Sequence, residues 1–425
     1  MIERVAFFQT KKEFLSFILL ASAIALLSLS YQYYNYKQLT KFDSNLINAT
    51  VIKQYTKTKV TKKGKLKTYQ VLKLKSDNGF TFYTTASKKQ KNILYKHLQI
   101  EAWAGEISFY EYMHQFFAFS KIRKIYKETH LKKEFNDFIA SQHSNKNITA
   151  IYQALFSARA LPQNLQIIFS NLGISHLIAI SGFHLGVLSA ILFFLIKYPY
   201  KFLQNRYFPY RSYTLDSFIL ISIFLLSYLI FLDSPPSLVR AFGMFFIGFF
   251  LYERGFAVLS MQTLFITVIL ILAVFVRLFF SIGFWLSVSG VFYIFLFLIH
   301  FKHLSKFWQF ILIPFWVYLL MLPYSLVIFS NFSIYHPLSI IWTSLFTLFY
   351  PLSMLLHILG FGSFFDALLI TFIHIDSGEF KIDLAYKWLV FEVILSLLSL
   401  YKKEFIYLLL FYCFSFFVYA IYYVT

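Results

Sequence analysis

From residue 171 onward, apolar residues come in blocks of span length, separated by short polar breaks. Between residues 32 and 110 the pattern changes to short alternating or β-branched stretches. The blocks lie near 176–196, 217–232, 237–252, 257–276, 283–300, 307–329, 338–358, 361–375, 386–400 and 404–423. With a first run at Phe14–Ser30, they predict roughly eleven membrane crossings at about 20 residues each. Several blocks are short, which suits re-entrant or half-length helices. The alternating stretches are Thr50–Tyr55, Tyr69–Lys75, Phe80–Thr85 and Leu98–Ala104. Turn signals at Lys62-Lys63-Gly64-Lys65 and Ser76-Asp77-Asn78-Gly79 separate them. Short strands joined by hairpins predict a small β domain of the OB (oligonucleotide/oligosaccharide-binding barrel) type or a similar sheet. The predicted order is a tail and first span (1–31), the β domain (32–110), amphipathic surface helices (111–170) and a polytopic helical domain (171–425).

Composition agrees with a polytopic α-helical membrane protein: 59% of residues are hydrophobic and 14% charged. The lone Cys413 excludes an intrachain disulfide and a Cys-rich metal site. The net charge of +20 is unevenly placed. Arg4, Lys11 and Lys12 precede the first run, and Lys197, Lys201, Arg206, Arg211, Arg254, Lys302, Lys306, Lys402 and Lys403 fall in alternate loops. The positive-inside rule then puts the N-terminus in the cytoplasm and the β domain outside the cytoplasmic membrane. The first run lacks a small-residue cleavage site and reads as an uncleaved anchor. No P-loop pattern occurs, so no ATPase activity is expected.

Candidate chemistry concentrates in Ser175-His176-Leu177-Ile178-Ala179-Ile180-Ser181-Gly182-Phe183-His184-Leu185-Gly186. Polar groups at membrane depth usually face a cavity or a partner helix. On one ideal helix His176 and His184, eight apart, share a broad face about 80° wide. A Ser/Gly helix-packing face is the alternative. No carboxylate lies near in sequence, so a metal is not expected. Ser181 with His184 faintly suggests a serine-protease dyad, but Ala179 stands where such enzymes carry the first Gly of G-x-S-G. Arg240 follows Asp233-Ser234-Pro235-Pro236. It suits either a phosphate or an ion pair with Asp233.

The Ser175–Gly186 stretch resembles the HLLAISGLH signature of the ComEC-type competence proteins. Ala154–Pro162 is similar to the segment that precedes that signature. Ser234-Pro235-Pro236-Ser237-Leu238-Val239-Arg240-Ala241 with Met244 resembles the family's SPSxxRAxxM, and Gly283-Phe284-Trp285-Leu286-Ser287 its GFQLS. Leu322-Pro323 with Phe329–Ser333 resembles a later LP…FxxFS. The resemblance implies an inner-membrane channel that conducts single-stranded DNA into the cytoplasm during natural transformation. His176, Ser181, Gly182, His184, Arg240 and Ser287 would line its path. It is the short form, without the C-terminal metallo-β-lactamase-like domain, since no H-x-H-x-D-H motif occurs. The implied partners are single-stranded DNA, membrane lipids, a periplasmic DNA receptor, a separate nuclease, a cytoplasmic motor or single-strand-binding protein, and further copies of the chain. No cofactor and no catalytic residue are implied.

The residues of the β domain point the same way. Thirteen Lys against Asp77 alone lie between Lys53 and Lys96, interleaved with aromatics. Lys57, Lys59, Lys62, Lys63, Lys65, Lys67, Tyr69 and Phe82 are the expected strand-binding set, combining charge with stacking. A Lys-rich face docked on anionic lipid is the competing reading. With it goes the alternative function, a transporter of another anionic solute or polymer.

Overall fold

The computed structural model describes residues 8, 10–60, 66–126, 131–253, 260–375 and 380–424. The chain divides into two compact units. The first holds Thr10–Ser141 and Ile269–Ser281, the second Gln142–Val268 and Ile282–Thr425.

In the first unit, Thr10 caps helix α1 (Lys11–Leu39) by accepting the Glu13 N–H, while the Glu13 carboxylate accepts the Thr10 N–H. Six strands follow: β1 (Ser44–Val60), β2 (Leu66–Ser76), β3 (Thr81–Ala86), β4 (His97–Trp103), then β5 (Phe116–Phe117) and β6 (Phe119–Ile125) after the short helix α2 (Phe109–His114). Their order in the sheet is β5-β3-β2-β1-β4-β6. β5 and β6 are one stretch interrupted at Ala118, so the sheet closes on itself. β5 runs parallel to β3, β6 runs antiparallel to β4, and the Ala118 N–H donates to the Tyr83 carbonyl at 3.0 Å. Closure leaves no long free edge. The barrel holds Val51, Leu72, Leu74, Phe82, Leu98, Ile100 and Phe116, with Tyr112 of α2 packed against it. Tyr36 of α1 donates from its hydroxyl to the Ile107 carbonyl at 2.9 Å.

A β-bulge between Val51 and Lys53 sets which side chains face out. Before it Ala49 and Val51 are buried; after it Lys53, Tyr55, Lys57 and Lys59 are exposed. One extra residue reverses the two-residue period of a strand. Residues 111–170, expected as surface helices, contain the closing strand Phe116–Ile125 as well as α3 (Leu131–Ser141). Lys121, Arg123 and Lys124 made this strand look like a basic surface segment.

The second unit is a helical bundle: α4 (Lys146–Ser157), α5 (Gln163–Asn171), α6 (Ser175–Ile178), α7 (Gly182–Tyr207), α8 (Tyr213–Phe231), α9 (Pro236–Glu253), the first half of α10 (Met261–Val274), α11 (Ile282–His300) and α12 (Lys306–Phe329). A two-residue strand β7 (Asn331–Phe332) leads to α13 (Ser339–Ile358) and α14 (Asp366–Ile373). β8 (Phe380–Lys381), α15 (Tyr386–Leu398) and α16 (Glu404–Val424) complete it. Over the whole chain, seven helices among the described residues are long and apolar enough to cross a membrane. They are α1, α7, α8, α11, α12, α13 with the turn before it, and α16. Four of the eleven expected spans are shorter or less apolar. The runs at 257–276 and 386–400 give helices of 14 and 13 residues, and that at 361–375 gives a 3-10 turn and eight helical residues. At 1.5 Å per residue these reach about 20 Å or less, short of a 30 Å hydrocarbon core. The run at 237–252 forms α9 of 18 residues, which carries Arg240 and Glu253.

Candidate functional site

The apolar run expected as one span at 176–196 is two helices. α6 ends at Ile178, the backbone is extended at Ala179 and Ser181, and α7 starts at Gly182. His176 and His184 therefore belong to different helices and do not share a face. The break frees backbone groups that must be satisfied inside the bundle. The Ile180 carbonyl accepts from Ser237 Oγ of α9 at 3.0 Å. His184 Nδ1 accepts the Ser181 N–H at 3.1 Å and faces Ser181 Oγ at 3.1 Å, a helix cap built from a histidine. His184 is fully buried, with the Tyr350 ring edge-on at 4.5 Å.

Arg240 lies against this break. A Cβ on Gly182 would sit 3.1 Å from the Arg240 Nη2 and 3.0 Å from the Ala241 Cβ, so any larger residue there would push its neighbours on α9 back by a few tenths of an ångström. Arg240 is 4% exposed. Its Nη1 meets the Met244 sulfur at 3.1 Å, and its Nε has no hydrogen-bond partner. No ion pair joins Arg240 to a carboxylate among the described residues, so of the two alternatives the pairing with Asp233 is not what holds it. The turn before α9 is tight: Asp233 and Ser234 both have positive φ, 64° and 53°. Ser287 is on α11, which packs on α9, and α9 packs on α7. The structure thus brings Ser181, Gly182, His184 and Arg240 together and puts Ser287 on the next helix.

His176 lies at a second point of approach. Its Nε2 is 3.4 Å from Thr343 Oγ1. Close by, Gly173 has φ +70°, and a Cβ there would lie 2.9 Å from the ring of His336. His336 is buried, stacks on Phe332 and contacts the Tyr318 hydroxyl at 3.1 Å through Nδ1. Sequence reading missed His336 and Ser237. Their signal, a polar residue beside a helix break, appears only once the break is known.

The barrel carries a separate basic face. Lys53 stands opposite Lys73, Lys57 opposite Tyr69, Lys59 opposite Lys67, and Lys73 opposite Tyr83. The Lys73 ammonium lies 5.3 Å from the Tyr83 ring centre. Partial burial, and then the neighbouring Lys53 charge, lower the Lys73 pKa below its ordinary value. Lys57 and Lys59 are exposed and Tyr69 is half-buried. Phe82 departs from expectation: it is fully buried and stacks on Phe116 at 5.3 Å, so it holds the core and offers no platform to a base. Lys62, Lys63 and Lys65 lie outside the described residues. Lys67 is placed by its backbone pairing with Lys59 alone.

An apolar helical bundle that breaks one helix around a buried cation, with seven membrane-length helices among the described residues, defines a polytopic membrane protein. Residues 157–424 match the family described as Competence protein, and the chain belongs to that family. Membership gives it a role in DNA uptake for transformation. No curated protein and no solved structure matches the chain.

Proposed function

We propose that this protein is the channel that conducts single-stranded DNA across the bacterial cytoplasmic membrane. The observation that carries the reading is Arg240, a buried guanidinium at a broken helix with no carboxylate partner among the described residues. A buried charge without a partner is costly. A passing phosphate would supply the missing anion, and the N-terminal end of α7 adds a favourable dipole. Because a phosphate is common to every nucleotide, such a site would act without regard to sequence.

In this reading the barrel is an OB-type domain on the outer side of the membrane and captures the strand. Its closed order, with the last strand joining the third and fourth, supports that assignment. Lys53 directly across from Lys73 supports the capture role. Like charges on opposed strands destabilise a sheet, and a bound phosphate removes that repulsion. The chain acts as a conduit, not as an enzyme. A periplasmic receptor presents the DNA, a separate nuclease leaves one strand, and a cytoplasmic motor or binding protein draws it in.

The test is where labelled DNA stops. Cells lacking this protein should hold label in the periplasm and none in the cytoplasm, and the wild-type chain should restore entry. Cytoplasmic label in the deletion strain would refute the proposal. Normal DNA entry with loss of another anionic solute would favour the rival transporter reading.

A further inference from the structure

Away from the broken helix, three side chains distant in sequence meet in one buried chain. His143 precedes α4, His357 is on α13, and Asp366 opens α14. His143 Nδ1 lies 2.9 and 3.1 Å from the two Asp366 oxygens. His143 Nε2 lies 3.0 Å from His357 Nε2, and His357 Nδ1 lies 2.7 Å from the Ser353 carbonyl oxygen. The His143 side chain has no exposed surface, His357 is 4% exposed, and the Asp366 side chain is 14% exposed. The surroundings are built to hold these rings. Gln142 donates to the His357 carbonyl and accepts the Gly362 N–H, and a Cβ on Gly362 would lie 2.9 Å from the His357 ring.

Hydrogen-bond bookkeeping fixes the charge. A carbonyl only accepts, so His357 Nδ1 carries a hydrogen. If Asp366 is ionised, His143 Nδ1 also carries one. Two neutral rings would then oppose bare Nε2 lone pairs at 3.0 Å, which is repulsive. A hydrogen must lie between them, making one ring an imidazolium. If instead Asp366 is the protonated partner and donates to His143 Nδ1, then His143 Nε2 holds the hydrogen donated to His357. Both arrangements are neutral, and both contain one proton more than a carboxylate with two neutral imidazoles.

We infer that Asp366, His143 and His357 form a buried proton-binding site in the helical bundle. Two neighbours also face it. Tyr152 of α4 stacks on His143 at 4.6 Å, and Phe156 lies edge-on to His357 at 5.0 Å. Burial, then the Asp366 charge, push the Tyr152 hydroxyl well above its ordinary pKa, so it stays neutral. No lysine or arginine pairs with Asp366 among the described residues. A metal ion fits less well. Two imidazole nitrogens at tetrahedral angles around zinc stand about 3.4 Å apart, and no group of three metal-ligating side chains is found among the described residues. Release of the proton would leave a net negative charge and opposed lone pairs. The rings must then part, loosening α13 and α14 from the segment that enters α4. Protonation thus works as a latch on helix packing.

The test uses full-length protein in lipid nanodiscs, labelled with nitrogen-15 in its eleven histidines. At pH 8, where free histidine is neutral, the extra proton should persist as one of two signals: an imidazolium-type ring if Asp366 is ionised, or a protonated carboxyl, read from carbon-13 label in the aspartates, if Asp366 donates. His357→Gln supplies an amide N–H to His143 without an added proton, so the protein should melt normally and the signal should be lost. Asp366→Asn removes the balancing charge and should lose it too. Absence of both signals in folded wild-type protein, or survival of the wild-type signal in both variants, would overturn the inference. So would zinc that co-purifies with the wild type and is lost from His143→Gln.

Discussion

The two units hold positive charge in opposite ways. On the barrel, lysines crowd an exposed face, in contact with water and close enough to repel one another. In the bundle, one arginine is buried against a helix break with a thioether and a glycine for neighbours. Exposed charges act collectively, are screened by salt and tolerate the loss of one member. A buried charge acts singly, is poorly screened and has no substitute. Capture of a flexible polyanion suits the first arrangement, and passage of one phosphate at a time suits the second.

The largest expected effect tests the bundle side of this contrast. Arg240→Gln should abolish uptake of labelled DNA while membrane abundance holds. Arg240→Lys, which keeps the charge but loses the planar fork, should retain a fraction on the order of one tenth. Normal import by well-expressed Arg240→Gln protein would dissolve the contrast.

Next comes the barrel core. Phe82→Ala should cost ~3–5 kcal/mol of barrel stability, read from its melting. If Phe82 serves the core alone, the salt dependence of strand binding by protein that remains folded should not change. A changed slope would return Phe82 to the binding face.

Gly182→Ala ranks third. The added methyl meets both the guanidinium and the Ala241 Cβ, and overpacking of this kind costs ~1–3 kcal/mol. Import should fall more than abundance does, and Ala241→Gly should recover part of it by removing one of the two contacts. Equal import by Gly182→Ala would show that the close approach of α9 to α7 is dispensable.

The smallest effect belongs to the barrel surface. Lys73→Gln should lower the log–log salt slope of single-strand binding by about 0.7. Removing its repulsion with Lys53 should also raise barrel stability, by ~0.2–1 kcal/mol. Weaker binding with greater stability is the signature of a face kept for a ligand. A loss of stability would instead make Lys73 a structural residue, held by Tyr83.

Much of this was legible from residue pattern alone. Long apolar blocks announced the helices, and alternation announced β1 to β4. The Ser181-x-x-His184 spacing and the arginine after the Pro-Pro turn marked residues that meet at the helix break. Three things were not legible. The bulge after Val51 is a single residue in a strand whose two sides both carry polar groups, so parity could not be followed through it. The break at Ala179–Ser181 lies in an apolar run with no proline, because Ser237 and His184, rather than a local breaker, satisfy the freed backbone. The Asp366–His143–His357 chain joins residues more than 200 positions apart. Helix periodicity says nothing about such a meeting.

The first unit also draws on sequence from far downstream. Val276 and Phe280 pack against the barrel core, Arg277 stands 4.3 Å from the centre of the Tyr112 ring, and its Nε donates to Gln32 of α1 at 3.0 Å. During synthesis the strands are complete once Ile125 has emerged, yet this last patch of packing waits for some 150 further residues. At ribosomal speed that delay is on the order of ten seconds or more. The barrel must therefore persist meanwhile with part of its apolar surface uncovered, in the interval when chaperones and proteases have access to it. Its final stability is set only when the stretch between α10 and α11 arrives.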